Sequence, residues 1–165
     1  MGNNEILDQN VRRERTPEEE SQFHLLKLDA ANVKYHIRNA RVALFVLAAM
    51  WGVFAIGAFL GRGETLLDDS FFYAIAATNG VLAIIFATLG WFARRNPVVI
   101  FGIALGLYAL LAISDMINSF SILGALIKLL VLFMLFEGLR AGTKLKSIRQ
   151  QAQTLGATEE EIFEE

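Results

Sequence analysis

The residues with the most chemical potential are a few charged and amide side chains set inside long apolar runs. Asp115 stands shortly before a turn at Ser119-Phe120-Ser121, and Lys128 shortly after it. If both flanking segments are helical, their depths differ by about 3 Å at a rise of about 1.5 Å per residue. A lysine stem can span that gap, so the two can form an ion pair, with Asn118 one turn beyond Asp115. An ionisable side chain within a lipid-spanning helix costs roughly 2.5–3.5 kcal/mol on insertion scales, so it has either a partner or a task. The task would be an ion, proton or substrate site. The plainer reading is a pair that fixes the packing of a helical hairpin. Glu137 lies three residues before Arg140 and within reach of Arg94 or Arg95, which fits an anchoring carboxylate at a membrane interface. Asn79, flanked by Thr78 and Gly80, can hydrogen-bond across helices.

Other chemistry is missing. There is no cysteine, which removes disulfides, thiolate metal sites and thiol nucleophiles. His24 and His36 are too far apart to share a metal on one helix, where ligands want i,i+3 or i,i+4 spacing. No phosphate-binding glycine loop, His-Glu-x-x-His or Gly-x-Ser-x-Gly occurs, and Gly61-Arg62-Gly63 reads as a linker. No basic, aromatic-interleaved stretch offers a nucleic-acid surface. The sequence therefore predicts no enzyme, metal, cofactor or nucleic acid.

The elements that position these residues follow from the apolar runs. The 165-residue chain is 55% hydrophobic and 19% charged, with a mean hydropathy of +0.45. Nearly all charges lie before Ala43, in two linkers, or after Glu137. The pattern predicts an all-α integral membrane protein, a four-helix bundle with spans near 42–60, 71–93, 98–118 and 122–139. Each span is long enough for a hydrocarbon core of roughly 30 Å, and each must be helical because lipid offers the backbone no partner. Pro97 ends the second span's turn, Arg94-Arg95-Asn96. The first apolar run begins after about forty residues, too late for a cleavable signal.

Residues 1–15 read as disordered. Thr16-Pro17-Glu18-Glu19 is a helix start, with Thr16 as N-cap and Glu19 completing a capping box. Over 16–41 apolar residues recur at Phe23, Leu26, Ala30, Val33, Ile37 and Ala40, a heptad seam on a cytoplasmic or interfacial amphipathic helix. That seam would bind a partner. Residues 140–155 continue the fourth span as a cytoplasmic helix, Gly156 is its stop, and 158–165 form an acidic tail opened by a second capping box at Thr158. Gly57-x-x-x-Gly61 and Gly102-x-x-x-Gly106 permit close helix approach.

Ten Lys and Arg flank the spans on the side of the two termini, against Arg62 alone on the other. This bias places both ends in the cytoplasm, with the bundle in a bacterial cytoplasmic membrane. The expected function is that of a structural or accessory protein that contacts lipid and binds another membrane protein or copies of itself. The alternative is a small oligomeric channel or transporter using Asp115 and Lys128.

Overall fold

The computed structural model describes residues 16–61, 69–118, 122–157 and 162, apart from the side chains of Met116 and Asn118. The expectations for 1–15, for the centre of the first linker, for the turn at 119–121 and for the Thr158 capping box lie outside the described residues. All regular structure among the described residues is helical: α1 (Pro17–Leu60), α2 (Asp69–Phe92), α3 (Pro97–Asn118) and α4 (Ile122–Thr154). All four are long and apolar enough to cross a membrane.

Local chemistry fixes the helix ends. Thr16 accepts from Glu19 N–H at 3.3 Å, and the Glu19 carboxylate accepts from Thr16 N–H at 2.9 Å. Two of the donors that α1 would otherwise leave open are so satisfied, and Pro17 occupies the first position, where its missing N–H costs nothing. Between α2 and α3 the chain turns tightly, with Arg95 N–H donating to Phe92 O at 2.9 Å, and Pro97 opens α3. After α4, Gly156 adopts φ +66°. Its N–H donates to Gln153 O, and Ala157 N–H donates to Ala152 O. That is a Schellman stop, closed by the buried pair Ala152 and Ala157.

The helices pack in the order α2, α1, α4, α3, with α2 and α3 meeting more lightly. Each contributes one large, fully buried side chain to the centre: Leu44, Phe86, Phe101 and Leu135. The α2–α3 contact includes an edge-to-face pair, Phe86 and Tyr108, with centroids 6.5 Å apart. A second apolar cluster lies beyond the bundle, where α1 and α4 run on together. There Leu26, Ala30 and Val33 face Ala141, Ile148 and Ala152, and the tail adds Ala157 and Ile162. Ile37 packs against both clusters, so the core is continuous.

The structure bears on two expectations. A helix lying across the end of the bundle needs a break near Arg41. α1 has none: it continues unbroken for 44 residues, about 66 Å at 1.5 Å per residue. Residues 17–41 therefore extend the first apolar helix as a straight stalk beyond the bundle. The seam of Phe23, Leu26, Val33 and Ile37, expected to receive a partner, is occupied by the chain's own α4 and tail. Periodicity shows that this face needs cover but not what covers it.

Candidate functional site

The α3–α4 hairpin brings Asp115 and Lys128 together. Asp115 is on the last turn of α3, and Lys128 is on the second turn of α4. Counted from the helix ends next to their turn, they lie about 4.5 Å and 9 Å deep, and the lysine stem climbs the difference. Lys128 Nζ donates to Asp115 Oδ2. The lysine side chain is 19% exposed and the carboxylate 57% exposed. The pair thus sits on the flank of the hairpin rather than inside the bundle. Asn118 closes α3, and its side chain lies outside the described residues.

Such an arrangement neutralises two charges and ties two helices. It does not by itself form a path. Among the described residues no charged side chain is buried, and the buried polar atoms at the bundle centre belong to aromatic side chains such as Tyr108. One buried polar atom has no hydrogen-bond partner among the described residues, the indole Nε1 of Trp51. Asn79 is half-buried on α2, beside Gly80, which faces open space. It is on a different helix from the pair, one that packs chiefly on α1.

Glu137 holds the opposite end of the bundle. Its carboxylate stands 3.9 Å from Arg140 and 4.0 Å from His36 Nδ1 on α1. Arg140 is the neighbour that the sequence spacing gives, and His36 is a second one from α1 that it does not. Beside this contact lie two glycines that sequence reasoning missed. A Cβ on Gly138 would collide with Ala40 of α1 and lie 3.2 Å from the Phe101 ring of α3. A Cβ on Gly142 would lie 3.0 Å from Val98 N and 3.3 Å from Pro97. Gly138-x-x-x-Gly142 is therefore the junction of α1, α3 and α4, and the motif was there to be read across the boundary between span and extension. The two motifs that the sequence singles out do no such packing. Gly57 and Gly106 have no neighbouring side chain within 4 Å, and Gly102 has only ordinary contact with Leu139.

Arg41 marks where α1 leaves the bundle. Its Nε donates to Gly90 O at 3.1 Å, near the end of α2. The guanidinium satisfies a carbonyl in the last turn and complements the negative end of the helix dipole. Burial, then the charge of Arg94, lowers its pKa from the ordinary arginine value, but a guanidinium stays charged in proteins. The Phe45 ring lies beneath the Arg41 charge at 5.8 Å and fills the space over Gly90. No set of three or more His, Asp or Glu side chains able to hold a metal occurs among the described residues.

Compared with known proteins, the chain matches no family model, no curated protein and no solved structure.

Proposed function

We propose that this chain is a non-catalytic integral membrane protein that holds a rigid two-helix stalk on the cytoplasmic side as a docking structure for other proteins. One observation carries the reading: α1 runs unbroken from its apolar 42–60 segment into 17–41, and α4 braces that length on one face. Two helices locked by an apolar seam keep their geometry away from the bilayer, as a fixed platform requires and a flexible tether does not provide. The Lys and Arg bias supports an inward-facing stalk, in keeping with a bacterial cytoplasmic membrane. The stalk also shows Lys144, Lys146 and Arg149 to solvent.

The alternative, an oligomeric channel or transporter, draws on the exposed carboxylate of Asp115. The apolar interior obliges any such path to run between copies of the chain. Purification from native membranes in mild detergent separates the readings. A protein recovered in fixed ratio with the chain, and lost when Lys144, Lys146 and Arg149 are changed to Glu, supports the docking role. Absence of any such protein, with ion flux in reconstituted vesicles abolished by Asp115→Asn, would replace it with transport.

A further inference from the structure

α1 carries a second stripe on the face turned away from α4. Leu25, Leu28, Asn32, Tyr35, Asn39 and Val42 alternate by three and four. Leu25 is 64% exposed, Leu28 70% and Tyr35 52%. The count keeps step to Leu60 through Val46, Ala49, Val53 and Ile56, and no position in it is charged. Lipid can cover the part beyond Val42. It cannot cover Leu25 and Leu28, which an unbroken helix carries roughly 20–25 Å beyond the start of the span. Large apolar side chains gathered on one face in water mark an interaction surface.

We infer that this face is the contact between two copies of the chain, paired in parallel and in register along α1. The occupant must follow one stripe through both water and bilayer. It must therefore be a membrane-spanning helix with a long extension on the same side. A second α1, inserted the same way, meets that requirement and is automatically parallel. A period of 3.5 residues is the pattern that two such helices supercoil around. Asn32 and Asn39 are the two polar members of the stripe, and they are seven residues apart, at the same position of successive heptads. In-register copies place Asn against Asn at both levels, where the amides can bond to each other. Core Asn fixes register and oligomer state at some cost in stability. A slip of one heptad would keep one amide pair, Asn39 against Asn32, and would set the other Asn32 against Leu25 and the other Asn39 against Val46, leaving two amides facing apolar side chains. Register also sets His24 of one copy beside Asp29 of the other, at the flanking positions where partner choice is made. The inference rests on the reading of residues 42–60 as a span and names the first partner of the stalk.

Because the chain has no cysteine, the test is direct. Single variants Leu28→Cys, Asn32→Cys and Lys34→Cys are made in the full chain and oxidised mildly in native membranes. A disulfide needs Cα atoms within roughly 7 Å, so only in-register core positions of a parallel pair can cross-link symmetrically. Leu28→Cys and Asn32→Cys should give a product of twice the chain mass, and Lys34→Cys should not. Photobleaching of labelled protein in nanodiscs should count two copies for the wild type and one for Leu28→Glu/Tyr35→Glu. These exposed changes leave the α1–α4 seam intact. No cross-link with a count of one overturns the pairing, and so does a cross-linked product of any other mass. Carbonate extraction of the same membranes tells the two failures apart. A chain that stays in the membrane as a monomer overturns the pairing alone, whereas a chain that is extracted overturns the membrane reading as well.

Discussion

A methyl group at Gly138 tests the junction of α1, α3 and α4. In Gly138→Ala the added Cβ meets Ala40 Cβ, with the Phe101 ring 3.2 Å away on the other side. The ring can tilt. Ala40 Cβ is fixed to the α1 backbone, so α1 and α4 must separate where they are most closely packed. Alanine in place of glycine in a helix interior gains roughly 0.5–1 kcal/mol, and overpacking a closed contact costs roughly 1–3 kcal/mol. The expected net is a loss of about 1–2 kcal/mol, close to tenfold in the unfolding equilibrium. Gly57→Ala and Gly106→Ala are the controls, because nothing lies within 4 Å of either position, and they should lose nothing. Equilibrium unfolding in mixed micelles, followed by circular dichroism, reads all three. Ala40→Gly should restore most of the stability of Gly138→Ala by removing the other methyl. The reasoning fails if Gly138→Ala is as stable as Gly57→Ala, or if Ala40→Gly does not rescue it.

Val33→Glu should open the stalk, since it places a carboxylate in a dry seam at a cost of about 3 kcal/mol or more. Hydrogen exchange would then show amides of 144–154 losing protection while those of 98–113 keep theirs, and unchanged protection at 144–154 would refute the seam. Asp115→Asn and Lys128→Met should each destabilise the α3–α4 hairpin, whereas the double change loses less than the sum by about 1 kcal/mol. Strict additivity in the same unfolding assay would show that the pair does not tie the hairpin. Gly156→Ala forces a side chain into the left-handed region at a cost of roughly 1–2 kcal/mol. The Ala157 amide should exchange faster, and no change there would mean that the Schellman stop does not hold the tail.

Where a residue's role is set by its neighbours in sequence, the sequence showed it. Thr16 and Glu19 are three apart, and they close the capping box that this spacing requires. Gly156 stops α4 because only glycine enters the left-handed region without penalty. α2 (Asp69–Phe92) and α3 (Pro97–Asn118) keep within about two residues of the apolar runs at 71–93 and 98–118, inside the ordinary scatter of helix ends, whereas α1 and α4 run on past the runs at 42–60 and 122–139. Helix rise alone places Asp115 and Lys128 together, and the lysine does reach the carboxylate. Roles set by a distant segment were not visible in this way. Nothing near Arg41 in sequence names Gly90, and nothing beside Glu137 names His36.

The seam at 23–40 shows how far that limit could have been pushed. A heptad stripe states that a face must be covered, and α1 carries two such stripes on opposite faces, the outer one stepped with Asn32 and Asn39. The covering element of the inner stripe was itself in the sequence. Ala141, Leu145, Ile148, Ala152 and Leu155 step by four and three along α4 and present the same small and large alternation as Leu26, Ala30, Val33 and Ile37. Two helices that leave a bundle from the same end, in opposite directions, with matching seams, have each other as the nearest partner. Covering one's own seam costs no loss of translational freedom, whereas recruiting another chain costs several kcal/mol. Asparagines in the outer stripe would find no amide partner among the apolar residues of α4. Intramolecular pairing therefore takes the wholly apolar inner stripe first. It leaves the outer one, with Leu25, Leu28 and Tyr35, as the face that only a second molecule can cover.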